Sequence, residues 1–149
     1  MTYETPFKPP TLLLLFLIAM PLAHLALPIA FIIPYPWNLS GSILVTAGIV
    51  LNITADQLFK RHGAPRANRG PDVLVTSGPY ALSRHPMYLG FALILLGVAV
   101  LLGSPSPLLL AAAFIPLTDR LFIRGEEEAL AKRDDNAWFA YTAKVRRWL

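Results

Sequence analysis

The stretch SGPYALSRHPMYLG, residues 77–90, decides how this chain of 149 residues is interpreted. It holds two prolines, two glycines, two tyrosines, an arginine and a histidine, and the apolar run 91–102 follows it directly. Arginine and histidine are costly next to hydrocarbon, so at the entrance of a membrane helix they usually face a site and not lipid. The stretch therefore predicts a ligand-binding site at the end of a membrane helix.

Composition points to a protein surrounded by lipid. Hydrophobic residues make up 55% of the chain and charged residues 15%, whereas soluble domains carry about 25% charged residues. The length predicts one integral membrane domain, residues 1–149. The absence of cysteine excludes disulfides and thiolate ligands, and the three histidines lie in different segments. We therefore expect no metal centre.

Four apolar segments predict an all-α bundle of four transmembrane helices. Their bounds are about 12–33, 39–59, 86–102 and 107–123. The first run is too long for the apolar core of a signal peptide, and no cleavage site of small residues precedes its polar end. Pro21 and Pro28 are expected to bend the first helix, and Pro116 the fourth.

The basic residues are distributed on one side of this bundle. If the N-terminus is cytoplasmic, the turns 34–38 and 103–107 lie outside, and neither contains lysine or arginine. All 13 lysines and arginines then face the cytoplasm, together with both termini. This explains the net charge of +4 without a nucleic-acid partner. The basic loop 60–72 is expected to face phospholipid.

The tail predicts interfacial helices over residues 126–148. Four apolar side chains recur at spacings of three and four, which is one face of a helix: Trp138, Tyr141, Val145 and Trp148. Such a helix is typical of the membrane interface. Residues 134–136 are expected to cap it and to separate it from a preceding helix.

Asn52 and Asp56 share one face of the second span because they are four residues apart. Two interpretations stay open for this pair. The side chains either join helices through polar contacts or form a wall of a ligand cavity.

The predicted hairpin of the third and fourth spans brings Arg84 and His85 close to Glu126 and Glu127. Tyrosines 80 and 88 flank Arg84 if the segment is helical, although a proline at 86 disfavours helix at His85. A sulfonium nucleoside amino acid suits such groups, because aromatic faces attract its cation and arginine binds its carboxylate. The alternative is a structural ion pair, with the glutamates placed at a helix start by the helix dipole.

The motif over residues 78–90, followed by Glu126-Glu127-x-x-Leu130, resembles the isoprenylcysteine carboxyl methyltransferase family. The related phospholipid N-methyltransferases share the same layout. The resemblance covers about residue 56 to the C-terminus and includes the approach 74–77. The tail departs from the family pattern at residues 134–135 and at Trp138, which leaves the substrate open.

This resemblance implies transfer of a methyl group from S-adenosylmethionine to a lipophilic acceptor that arrives from the bilayer. It implies a cofactor pocket lined by Tyr80, His85, Pro86, Tyr88, Gly90, Glu126 and Glu127. It implies catalytic roles for Arg84, His85 and Glu127. A general base is needed only if the acceptor is protonated at neutral pH.

Three other functions agree with parts of this pattern. Membrane sterol reductases use a similar Arg-His-Pro-x-Tyr element to bind NADPH, but they lack the glutamate pair. A non-catalytic membrane protein could keep the fold without activity. A four-helix transporter is disfavoured because the spans lack paired ionisable residues.

Overall fold

The computed structural model describes residues 8–27, 30–62, 74–133 and 135–149, and these contain helices but no strand. The α-helices are α1 Pro9–Ala26, α2 Gly41–Arg61, α3 Pro86–Leu102, α4 Pro105–Thr118, α5 Arg124–Arg133 and α6 Asp135–Thr142. Short 3-10 helices occupy Trp37–Ser40 and Gly78–Ala81, and the π-helix Asp119–Ile123 joins α4 to α5. The predicted all-α fold is confirmed.

Three helical stretches are long and apolar enough to cross a membrane: Pro9–Ala26, Trp37–Arg61 and Pro105–Lys132. The remaining predicted span, the third, is α3, a shorter apolar helix of 17 residues, or about 25 Å at 1.5 Å per residue. Three predicted features lie outside the described residues: most of the basic loop 60–72, the bend at Pro28, and the cap at residue 134.

The first span is shorter than predicted. We expected it to reach residue 33, but α1 ends at Ala26. A proline follows Leu27 in the sequence, and the residue before a proline is disfavoured in the helical region. The amides of Ile32 and Ile33 instead donate to the carbonyl of Gly103, at 2.8 and 3.2 Å.

The four long helices alternate in direction. Gly103 has a φ of +69° and joins α3 to α4 through a two-residue turn. The last turn of α1 meets the same place, where His24 Nδ1 lies 2.7 Å from Ser104 Oγ. We call this end of the bundle the turn end. The opposite end, which holds Arg84 and His85, is called the charged end. That the charged end is cytoplasmic stays a prediction.

Glycines allow α2 and α3 to approach closely. A Cβ added at Gly48 would lie 2.5 Å from the carbonyl oxygen of Gly90, and one at Gly97 would lie 2.6 Å from that of Gly41. Larger side chains at these positions would force the helices apart. This glycine-lined contact between α2 and α3, which we call the seam, fixes the register of α3 against α2. It therefore fixes the position along the bundle at which α3 begins.

The apolar core lies among α1, α3 and the helical stretch that starts with α4. Its buried members are Leu12, Met20, Tyr88, Leu95, Ala99, Ala111, Phe114, Phe122 and Ile123. Many large apolar side chains of α1 and α2 are exposed, Leu22 and Ile43 among them. This exposure suits lipid as the surrounding solvent.

The C-terminal segment differs from the predicted helix over 126–148. The helix α6 ends at Thr142, and residues 143–149 continue without helix. Trp138, Tyr141 and Val145 pack together as expected, but Trp148 packs against the apolar core instead. The amide of Arg84 donates to the carbonyl of Arg146 at 3.0 Å, so the segment lies against the charged end.

Candidate active site

The segment before α3 is a turn and not a continuous helix. Gly78 has a φ of +59°, which favours glycine, and the 3-10 helix ends at Ala81. His85 is the N-cap of α3, and Pro86 occupies its first turn, where a missing amide hydrogen has no cost. Tyr80 and Tyr88 therefore do not flank Arg84 on one helix.

Glu127 lies at the centre of the site. One of its carboxylate oxygens, Oε1, is 3.2 Å from His85 Nε2 and 3.3 Å from an Arg84 guanidinium nitrogen. Arg147 Nε donates to both oxygens, at 3.2 and 3.1 Å. Three cationic or basic groups thus surround a side chain that is 11% exposed. Such a carboxylate is held firmly by charge-assisted hydrogen bonds.

Glu126 has fewer partners and more contact with solvent. The hydroxyl of Tyr88 donates to its Oε1 at 2.6 Å, and its Oε2 lies 3.5 Å from His85 Nδ1. The Glu126 side chain is 33% exposed. Of the two glutamates, it is therefore the one with acceptor capacity left for a ligand.

His85 lies between the two glutamates and is buried. Burial alone would lower its pKa, but the hydrogen bonds and negative charges of Glu126 and Glu127 outweigh burial and raise the pKa above the ordinary value of 6.5. Each ring nitrogen faces a carboxylate, and a carboxylate only accepts hydrogen bonds. The arrangement therefore favours the doubly protonated imidazolium.

Aromatic rings border this group. Phe122 stacks on Tyr88 with a centroid separation of 6.2 Å and an interplanar angle of 12°. The Arg84 guanidinium lies 5.7 Å from the centroid of the Trp138 ring. The hydroxyl of Tyr141 donates to the carbonyl of Tyr80 at 2.6 Å. Rings from α3, the π-helix and α6 thus meet at the charged end.

The structure therefore brings Arg84, His85, Tyr88, Glu126 and Glu127 together. Their roles in binding or catalysis stay predictions. Pro86 is buried in the first turn of α3, and Tyr80 is half-buried beside the group.

Gly90 lies elsewhere, on the seam between α2 and α3. A Cβ added there would collide with the side-chain amide of Asn52 and approach the carbonyl oxygen of Gly48 to 2.8 Å. Asn52 itself donates to the Gly48 carbonyl at 3.0 Å, and Asp56 pairs with Lys60 at 2.9 Å. These contacts favour the helix-packing interpretation of Asn52.

Sequence reasoning missed two charged residues of the site, Arg147 and Asp119. Arg147 also donates to Asp119 Oδ1 at 2.9 Å, and Asp119 accepts from Arg124 at 3.1 Å. The interfacial helix predicted over residues 126–148 includes Arg147 but gives it no partner. The sequence signal for Arg147 was the adjacent pair of cationic residues 146–147 close to aromatic residues. The spacing of this pair does not indicate which residue it binds.

A model of the family described as phospholipid methyltransferase matches residues 37–133 of the chain. The match includes α2, α3, α4, α5 and both glutamates of the site. It gives no support to the reductase or non-catalytic alternatives. It also does not separate the isoprenylcysteine carboxyl methyltransferases from their relatives. No curated protein and no solved structure shows a significant match to the chain.

Proposed function

The chain belongs to the phospholipid methyltransferase family, and from this premise we propose that it is a membrane enzyme that transfers a methyl group from S-adenosylmethionine to a lipophilic acceptor. One observation carries the proposal. His85, from the start of α3, meets Glu126 and Glu127, from α5, at one end of the bundle. The two arms of a hairpin thus supply an imidazole and a carboxylate pair within a methyltransferase family.

The residues of the charged end fit the proposed cofactor. Glu126 has acceptor capacity for ribose hydroxyls, and the aromatic rings of Tyr88 and Phe122 suit a flat base or a cation. The Nε of Arg84 is buried and has no hydrogen-bond partner among the described residues. A guanidinium with an unused donor suits the carboxylate of an amino acid.

When bound, S-adenosylmethionine would supply an electrophilic methyl group, whose transfer neutralises the positive charge on sulfur. The protein would contribute mainly alignment of the acceptor and exclusion of water. Arg84 and Glu126 would hold the polar parts of the cofactor, while Glu127 would hold Arg84 and His85 in place.

The acceptor determines whether His85 acts on a proton. A carboxylate acceptor needs no base, whereas an ammonium must lose a proton before its nitrogen can attack. An imidazolium has no free nitrogen, so His85 could take this proton only in its neutral form; Nδ1 would then be the accepting nitrogen, because Nε2 faces Glu127. We propose an acceptor from the lipid phase, in agreement with the exposed apolar surfaces of α1 and α2.

Calorimetric titration of the purified full chain in detergent tests the cofactor. We expect S-adenosylhomocysteine to bind and NADPH not to bind. Glu128 is exposed, so Glu128→Gln serves as a matched control for Glu126→Gln. Only the second should weaken binding. Failure to bind S-adenosylhomocysteine, or equal binding of NADPH, would overturn the proposal.

The acceptor requires a separate experiment. The purified protein would be incubated with a methyl-labelled donor and fractionated lipid extracts. Label should enter a lipid fraction with the wild-type chain and not with His85→Ala. Label that appears only in water-soluble compounds would contradict a lipophilic acceptor.

A further inference from the structure

Residue 147 contacts the site through its side chain and its backbone. The guanidinium binds Glu127, which in turn contacts His85 Nε2 at 3.2 Å. The carbonyl accepts a hydrogen bond from Ser83 Oγ at 3.1 Å, and the same Oγ accepts from the amide of His85 at 3.2 Å. Two separate chains of hydrogen bonds therefore run from residue 147 to residue 85.

We propose that Arg147 is a positioning residue that orients the imidazole of His85 through Glu127 and the backbone of His85 through Ser83. For methyl transfer this role rests on the proposed function. Arg147 itself need not touch a ligand. It would hold the carboxylate of Glu127 in the plane and at the distance that His85 Nε2 requires.

The geometry at Glu127 supports orientation over simple charge balance. Arg84 already supplies one positive charge to Oε1 at 3.3 Å. Arg147 adds contacts to both carboxylate oxygens, and it also binds Asp119. A guanidinium that bridges two carboxylates fixes both in direction, which a single point charge does not do.

The bridge also crosses an irregular part of the helix. Asp119 begins the π-helix and Glu127 lies in α5 beyond it. A π-helix changes the direction of the side chains that follow, and such segments are frequent at functional sites. By binding both residues, Arg147 fixes α5 relative to α4.

The surrounding contacts hold the C-terminal segment in place. Trp148 packs against the apolar core, and the carbonyl of Arg146 accepts from the amide of Arg84. Ser83 is 1% exposed, so its two hydrogen bonds are protected from water. Residues 146 and 147 are thus joined to the residues that precede α3, and residue 148 to the apolar core.

The test is a titration of the His85 side chain by NMR in detergent, with histidine labelled by ¹⁵N. The chain has three histidines, and His85→Gln identifies the relevant signal. The charged and titratable groups that face His85 are Glu126, Glu127, Arg84 and Tyr88. All of them remain in the variants at residues 146 and 147.

If Arg147 positions Glu127, Arg147→Gln frees the carboxylate from Nε2, and the titration midpoint of His85 falls by about one pH unit. If Arg147 acts only as a nearby cation, its removal raises the midpoint. The direction of the shift therefore decides, and a rise or no change would overturn the proposal.

Two further variants complete the test. Arg147→Lys keeps the charge but loses the bidentate contact, so the titration midpoint of His85 should fall by a smaller amount. This variant keeps the proposal testable if Arg147→Gln fails to fold. Arg146 is exposed, and Arg146→Gln should leave the midpoint unchanged. The titration needs no cofactor, so its outcome is independent of whether S-adenosylhomocysteine binds.

Discussion

At each end of the bundle one histidine connects helices, and these two residues, His24 and His85, have different partners. At the turn end, His24 Nδ1 and Ser104 Oγ share a hydrogen bond of 2.7 Å. At the charged end, His85 lies between Glu126 and Glu127, which are bound in turn by other side chains. Both histidines connect helices that are distant in sequence.

This difference distinguishes a structural contact from a site that can carry out chemistry. The hydrogen bond between His24 and Ser104 joins α1 to the start of α4 and involves no carboxylate. In a network of shared ionisable groups, removal of one member changes the position and protonation of the others. The charged end therefore has the properties of a site, and the turn end has those of a structural closure.

The largest effect is expected from Glu127→Gln at the charged end. The amide keeps the shape of the side chain but leaves Arg84, Arg147 and His85 without their shared anion. Removing one partner of a largely buried ion pair costs about 3 kcal/mol or more, and binding of S-adenosylhomocysteine should also be lost. Chemical unfolding in detergent and calorimetry measure the two effects.

Glu128→Gln is the control for this variant, because Glu128 is adjacent and exposed. It should leave stability and binding near the wild-type values. Equal losses in both variants would mean that the carboxylates of the site are wrongly assigned.

Glu126→Gln is expected to affect binding more than stability. Its carboxylate is 33% exposed, so its ion pair with His85 contributes little to folding, below about 1 kcal/mol. A lost charge-assisted contact to the ligand costs about 1.5 kcal/mol, or roughly tenfold in affinity. Calorimetry and unfolding of the same preparation measure both. A stability loss as large as that of the Glu127 variant would assign Glu126 a structural role.

Ser104→Ala tests the turn end. The serine is 1% exposed, and its removal leaves His24 Nδ1 without this partner, at a cost of about 1 kcal/mol. Ligand binding should not change. Ser42 is exposed and its hydroxyl donates to the nearby carbonyl of Leu39 at 2.6 Å, so Ser42→Ala is the control. Weakened binding in Ser104→Ala would contradict the separation of the two ends.

The sequence predicted those parts of the molecule that depend on local pattern or on short connections. The length of the apolar segments predicted the long helices. The short turn at Gly103 predicted that His85 lies close to Glu127. Periodicity identified the buried face formed by Trp138, Tyr141 and Val145. Each of these inferences needs only neighbours in sequence or a two-residue turn.

What the sequence did not predict depends on contacts between distant segments. The helical period was extended to Trp148, but tertiary contacts of the backbone at Arg146 and Arg147 end the helix earlier. Arg147 is 20 residues from Glu127, and nothing in its spacing indicates that partner. The close approach of Gly90 to Asn52 likewise follows from packing between helices.

The smallest expected effect at the charged end is a dependence of stability on pH, because no atom is removed. The pKa of His85 is raised in the folded chain above its ordinary value of 6.5, so folding favours the protonated form. The stabilisation is therefore complete below about pH 6.5 and is lost as the pH rises through the folded-state pKa.

Subtracting the unfolding free energies of His85→Asn from those of the wild type between about pH 5 and 9 isolates this contribution. Glu128→Gln retains His85 and its partners, so it should follow the wild-type trend. A difference that grows with rising pH would mean that burial outweighs the two carboxylates and that the charged end holds His85 in its neutral form.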